Sequence, residues 1–308
     1  MPSGPQGRAS TPAGSRSMSR LARVWKTTHA PDYTGLFLLL IGWLSLASLV
    51  TPFHRMFFIN DLAISFPHAE HERVSVPLVL VCAFLLPLAV FICYGLAFRP
   101  SAAKQEAIYL SFAVAAVLTG FLTDVVKNAV GRPRPDLLAR CRPASGTKPN
   151  HLVTIDVCTA PDGHTLHDGW RSFPSGHSSF SFAGLGFLSL FLAGQLHLFG
   201  AAGSRDLSRA LLCLLPLIGA TLIAISRCED YRHDVYDVCC GSALGMSVAY
   251  WSYRRHWPKL SSPTCDTPLP RPGSETRAPY WHRVRDEETG APGLGTGYEM
   301  DEMSTTPA

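Results

Sequence analysis

The chain has 308 residues, 47% of them hydrophobic and only 16% charged, with a formal charge of +4. Its apolar residues are clumped into runs that approach the ~20 needed to cross a bilayer core, which excludes an ordinary soluble globule. The cations are scattered through termini and loops with no dense basic tract, so nucleic acid is excluded as a partner.

In chain order, residues 1–33 are rich in Ser, Pro, Gly and Arg and hold no acid before Asp32. This segment is expected to be a disordered basic arm beside the first membrane span. Pro2, Pro5 and Pro12 argue against the amphipathic helix of a transit peptide.

Apolar runs predict membrane helices over about 34–50, 76–98, 107–126, 177–199, 210–225 and 235–253. Pro77 and Pro87 are tolerated in the second, as in many membrane helices. The connection over 51–75 contains His68-Ala69-Glu70-His71-Glu72, whose spacing fits no metal site and which is expected to be a solvated loop. Asp124, near the end of the third run, is an interfacial acid: a functional hint, or a partner for Lys127.

A long connection over 127–176, dense in Pro, Gly and Arg, has the length of a loop with a task of its own. Of the nine cysteines, five fall in apolar runs, where cysteine is a small hydrophobe. Cys141 and Cys158 share the long connection, and whether they pair turns on whether it faces an oxidising compartment. No C-x-x-C pair or zinc spacing occurs. Residues 256–308 are rich in Pro, Gly, Ser, Thr and acid and are expected to be a disordered tail.

The expected architecture is therefore all-α: a six-helix transmembrane bundle over 34–255, with disordered N- and C-terminal tails on the same side. Basic residues before the first run and after the last (Arg20, Arg23, Lys26, Arg254, Arg255, Lys259) favour cytosolic termini. The opposite side also carries many cations, so charge bias alone does not fix the orientation.

Six alternating crossings have a chemical consequence. The end of the third run, the start of the fourth, the end of the fifth and the start of the sixth must share one face of the membrane. The first of the polar stretches gathered there, Lys127-Asn128-Ala129-Val130-Gly131-Arg132-Pro133-Arg134-Pro135, offers a point charge and a planar fork for phosphate oxygens. The second, Pro174-Ser175-Gly176-His177, opens a helix, so its free amides and dipole attract an anion. His177 on that first turn is suited to protonating a leaving oxygen.

In the third stretch, Ser226-Arg227-Cys228-Glu229-Asp230-Tyr231-Arg232-His233-Asp234-Val235-Tyr236-Asp237, Arg227 is a further cation. A helix starting near His233 sets His233 and Asp237 on one face, where the carboxylate fixes the tautomer and raises the basicity of the imidazole. Taken singly, each stretch is also what a charged membrane flank or a helix cap looks like. Together they provide the parts of phosphoryl transfer: charge neutralisation, an in-line nucleophile and an acid for the leaving group. No cage of acids for magnesium accompanies them in the sequence.

These residues resemble the K-x6-R-P, P-S-G-H and S-R-x5-H-x3-D motifs of the type 2 phosphatidic acid phosphatase (PAP2) superfamily. Every motif position is matched: Lys127, Arg134 and Pro135; Pro174, Ser175, Gly176 and His177; Ser226, Arg227, His233 and Asp237. The six runs, and the segment over 60–67 after the first, resemble the lipid phosphate phosphatase branch, including fungal-type diacylglycerol pyrophosphate phosphatases. The resemblance spans roughly residues 34–255.

It implies that His233 attacks phosphorus to form a phosphohistidine, oriented by Asp237, and that His177 protonates the leaving group. It further implies that Lys127, Arg134, Ser175, Gly176 and Arg227 hold the phosphate, with no metal, magnesium included, and no cofactor. The implied substrates are phospholipids in the bilayer: phosphatidate, diacylglycerol pyrophosphate or lysophosphatidate. The implied setting is an endomembrane, vacuolar or plasma membrane with the site on the luminal or extracellular face. Oligomeric state stays open, a homo-oligomer included. The same site serves a sphingoid-phosphate or isoprenyl-pyrophosphate phosphatase or a lipid phosphotransferase. A vanadium haloperoxidase shares the anion site but is soluble in its known forms, and a silent membrane scaffold would be expected to lack one of the two histidines.

Overall fold

The computed structural model describes residues 28–200 and 206–270, together with Trp25. Most of the expected N-terminal arm, and the expected tail beyond residue 270, lie outside the described residues.

Six long helices dominate: α1 (Ala30–Leu49), α2 (Val76–Phe98), α3 (Ala102–Val130), α4 (Gly176–Gln195), α5 (Leu207–Glu229) and α6 (Val235–His256). There are only two isolated β-bridges and no named strand among the described residues, so the chain is all-helical. The first five helices are long and apolar enough to cross a membrane. The sixth has the length but is diluted by Asp237, by glycines and serines, and by Arg254 and Arg255 in its last turn.

Local chemistry sets the ends. Ser101 caps α3 by accepting from the Lys104 amide, and Gly131 ends it in a left-handed turn at φ 57°. A Cβ at Gly131 would fall 1.8 Å from the Phe53 carbonyl oxygen, so only glycine lets the chain turn there into Arg132-Pro133-Arg134. Asp206 caps α5 through the amides of Ser208 and Arg209. Asp234 and Asp237 form a capping box that opens α6. In α2, Pro87 cannot donate back along the helix, and a π turn at Val81–Leu85 lies just before it.

The axis of the bundle is α4, with 72% of its most apolar window buried, against 0% for α1. It is small along its length, and α6 meets it with the pair Gly241 and Gly245. Cβ atoms there would lie 2.5 Å from Ser175 O and 2.2 Å from Ser179 O, so the two backbones touch directly. Toward the opposite end the core is aromatic: Phe91, Phe112, Phe187, Phe191, Tyr253 and Trp257 pack mostly edge to face. Trp257 and Cys265 are both fully buried, so the chain after α6 folds back on the bundle before residue 270.

The connections 50–75 and 131–175 build a small cap with its own core of Phe57, Ile64, Leu137, Leu166 and Trp170. Cys141 and Cys158 are joined in it as a disulfide. The Trp170 indole donates to Arg55 O at 2.9 Å, and Phe57 pairs with Val153 through the backbone. The loop expected to be solvated, His68–Glu72, is instead part of this cap. His68 lies 2.6 Å from the buried Asp136, and Glu72 pairs with two arginines. The expectation of a solvated loop fails at His68 and Glu72 because their partners lie far along the chain, whereas Glu70 and His71 are exposed.

Candidate active site

The end of α3, the start of α4, the end of α5 and the start of α6 meet under the cap. The Ser175 amide donates to the Asp237 carbonyl at 2.9 Å, which locks the start of α4 to the first turn of α6. Beside this joint lies a cavity of about 320 Å³ lined by Lys127, Arg134, Gly176, His177, Arg227 and His233. Six of the eight candidate residues therefore share one cavity. The other two, Ser175 and Asp237, are fully buried behind it.

Arg134 holds the nucleophile candidate. Its Nη1 is 3.2 Å from His233 Nε2 and also donates to Arg232 O, while Nε and Nη2 donate to the Asp168 carbonyl and carboxylate at 2.8 and 2.9 Å. A guanidinium only donates, so Nε2 must accept and the ring proton belongs on Nδ1. Nδ1 faces the Asp237 carboxylate at 3.8 Å, longer than a hydrogen bond, and has no hydrogen-bond partner among the described residues. Asp237 is itself fixed: Arg132 Nη1 donates to it at 2.7 Å, Ser172 Oγ at 2.5 Å and the Asp234 amide at 3.0 Å. The pair is thus positioned by its surroundings more than by a direct bond.

Burial, with the charges of Arg134 and Lys127, pushes the His233 imidazole well below its usual value. It is a free base at neutral pH, and its Nε2 lone pair is held by Arg134 Nη1, with both residues lining the cavity. Asp168 behaves in the opposite sense. Burial would raise its carboxyl, but Arg134, Arg140, Lys127 and Arg232 outweigh that and hold it below the usual carboxylate range.

His177, on the first turn of α4, places Nε2 3.1 Å from the Val74 carbonyl and 3.4 Å from Arg227 Nη1. The carbonyl only accepts, so Nε2 carries the proton and the Arg227 approach is a contact and not a second hydrogen bond. Arg227 is 1% exposed and fully engaged: Nη1 donates to Glu72 at 2.9 Å, Nη2 to Asp230 at 2.7 Å and Nε to Ser226 Oγ at 3.2 Å. Lys127 Nζ donates to Arg171 O at 2.7 Å. Ser175 Oγ accepts from Ser178 as the cap of α4, so its side chain serves the helix and not the cavity.

The sequence reading missed several groups that line the same cavity. Glu72 bridges Arg227 and Arg232, with each oxygen 2.9 Å from a guanidinium nitrogen. Asp168 binds Arg134 and Arg140. Asp124, which the sequence did single out, also lines the cavity, but it accepts from Arg171 and from the Trp43 indole, not from Lys127. One signal was available for Arg232, which directly precedes His233. For Glu72, 155 residues from Arg227, the sequence carries none. Val76, Val79, Leu80 and Phe180, on α2 and α4, add an apolar lining to the same cavity.

The PAP2 superfamily matches residues 108–261, which take in all three motif stretches. "Diacylglycerol pyrophosphate phosphatase 1" of Saccharomyces cerevisiae is 41% identical, over 77% of this chain and 83% of its own. "Probable diacylglycerol pyrophosphate phosphatase 1" of Schizosaccharomyces pombe is 39% identical, over 76% and 84%. "Lipid phosphate phosphatase 2" of Arabidopsis thaliana is 36% identical, over 76% and 79%. No solved structure matches. With the match covering half the chain and relatives above 30% identity spanning three quarters of it, the chain belongs to the PAP2 superfamily.

Proposed function

We propose that this PAP2 protein is an integral-membrane lipid phosphatase that removes phosphate from phosphomonoester or pyrophosphate head groups. Phosphatidate, diacylglycerol pyrophosphate and lysophosphatidate are the substrates of that description, and the names of its relatives support the choice. The single observation that carries the reading is the convergence of Lys127, Arg134, Arg227, His177 and His233 on one cavity whose other wall is apolar. A phosphate suits the cationic floor and the first carbons of an acyl chain suit the wall.

The chemistry runs in two steps. The Nε2 lone pair of His233 attacks phosphorus, and the bond from phosphorus to the leaving oxygen breaks. His177, protonated at both ring nitrogens once the phosphate anion is bound beside it, gives its Nε2 proton to that oxygen and keeps the one on Nδ1, and the oxygen departs as the lipid hydroxyl or as a phosphate. Water then attacks the phosphoimidazole, His177 takes back a proton, and the P–N bond breaks to free His233 and inorganic phosphate. Charge building on the equatorial oxygens is met by Lys127, Arg134, Arg227 and the first amides of α4. Asp237, fixed by Arg132 and Ser172, stabilises the positive imidazole.

The carboxylates around the cavity support a reaction without magnesium. Glu72, Asp168 and Asp124 line the cavity but are each paired with arginines, an arrangement that neutralises the acids instead of grouping them as a cage for a cation.

The catalytic domain is read as 34–255, crossing the membrane six times, with 1–33 and 256–308 flanking it, of which the stretch after α6 up to Leu269 packs back on the bundle. An even count puts both tails on one face, the cytosolic one, and the site on the luminal or extracellular face. The Cys141–Cys158 disulfide in the cap supports that side, because such bonds persist in oxidising compartments. His233→Ala is expected to abolish phosphate release from micellar phosphatidate in EDTA, while the wild type stays active there. Release by the variant at wild-type rates, or a wild type silenced by EDTA, would sink the assignment.

A further inference from the structure

At the end of the bundle away from the catalytic cavity, the first turn of α1 meets the last turn of α6. There His29 Nδ1 and His256 Nε2 each stand 3.5 Å from the same oxygen, Oδ2 of Asp32. One potential ligand atom from each residue lies within 4.8 Å of the other two. His29 is 8% exposed and His256 4%. His29 Nδ1 has no hydrogen-bond partner among the described residues, although it is buried and directed at the carboxylate.

Three lone-pair atoms gathered at this spacing leave a polar hole. At 3.5 Å the two imidazole–carboxylate pairs are long for hydrogen bonds, and both imidazoles are buried. From these contacts we infer that His29, Asp32 and His256 form a zinc site. A tetrahedral ion with bonds of about 2.0–2.2 Å sets its ligands about 3.3–3.5 Å apart, and each imidazole stands 3.5 Å from the shared carboxylate oxygen. Two imidazoles and one carboxylate are a zinc donor set, with the fourth position left to water. The outer oxygen, Asp32 Oδ1, accepts from Arg255, whose guanidinium lies 5.0 Å from the Trp251 ring. That arginine acts from behind the carboxylate, turning Oδ2 inward as second partners of metal ligands do.

The ion has a mechanical role. No residue of α1 is buried against the described residues, and its main polar tie elsewhere in the span is Trp43 to Asp124. Zinc at its first turn staples this outer helix to α6, whose opposite end carries Asp237. The site is separate from the phosphate cavity and uses none of its residues.

The test uses the full-length protein in detergent, stripped with EDTA and then given zinc. The wild type is expected to retain one zinc per chain by elemental analysis and to gain about 3–6 °C in Tm at a hundredfold excess over Kd. His233→Ala is expected to keep both properties, whereas His256→Gln and Asp32→Asn lose both while still releasing phosphate. Undiminished zinc in those two variants, loss of zinc in His233→Ala, or no retained zinc in the wild type each overturns the proposal. Cobalt substitution in the wild type needs no variant to fold. Visible d–d bands without sulfur-to-metal charge transfer support the His-Asp-His site, and thiolate bands place the metal on cysteines and overturn it.

Discussion

Glu72 puts a carboxylate where a phosphate would sit, between Arg227 and Arg232. A substrate anion must displace it, so part of the binding energy offsets an internal ion pair. Glu72→Gln keeps the shape and removes the competing charge, and Arg227 remains anchored by Asp230 and Ser226. Product inhibition by inorganic phosphate is therefore expected to tighten about tenfold, equal to about 1.4 kcal/mol. An unchanged or weaker inhibition constant would show that Glu72 supports the arginines and does not compete.

His233 gives a second test at the same scale. Its folded-state affinity for protons is lowered, so below pH 6.5 the unfolded chain binds more protons than the folded one. The stability tied to this group is whole above pH 6.5 and declines as pH falls below it. Nitrogen NMR of labelled histidines, with His233→Asn used for assignment, is expected to find a neutral ring with the proton on Nδ1 at pH 6. Half-protonation near pH 6.5 would contradict the burial and charge argument.

At the scale of elements, the site depends on how closely α6 approaches α4. Gly241 and Gly245 let the two backbones touch, and that contact sets Asp237 against the Ser175 amide. Gly245→Val must drive the helices apart, because its Cβ would lie 2.2 Å from Ser179 O. Overpacking of this kind costs about 1–3 kcal/mol. The displaced Asp237 adds a loss in kcat larger than the loss in substrate affinity, read from kinetics and a thermal melt on one preparation. Wild-type kcat in a destabilised variant would separate the helix joint from the chemistry.

The helices themselves were legible in the sequence, since long apolar runs and their caps are local. Their ends shifted by a few residues where capping decided them: Ser101 starts α3 earlier than hydropathy suggested, and Gly131 ends it later. The cap was not legible. Its core joins Phe57 to Trp170, and His68 to Asp136, across long stretches of chain with no periodic signal. The same applies to Glu72, whose neighbours in sequence look like those of any solvated loop.

For the whole molecule, polarity is the organising feature. One end gathers the motif residues beneath a disulfide-tied cap, and the other gathers both ends of the bundle around Asp32. The eight candidate residues could be assembled from the sequence because the expected alternation of crossings puts the ends of α3 and α5 and the starts of α4 and α6 on one face. Which side chains face the substrate, and which lie behind, required the fold: Ser175 turned out to serve the helix cap and Asp237 to be sealed from the cavity. The central claim is covalent, that a phosphoryl group passes through His233 Nε2. It is tested most directly by quenching a single turnover with lipid labelled at phosphorus and mapping the label on the chain. An acid-labile, base-stable phosphoramidate on the peptide carrying His233, absent from His233→Ala, is the predicted result. Full turnover with no label on that peptide, or label on another residue, would contradict it.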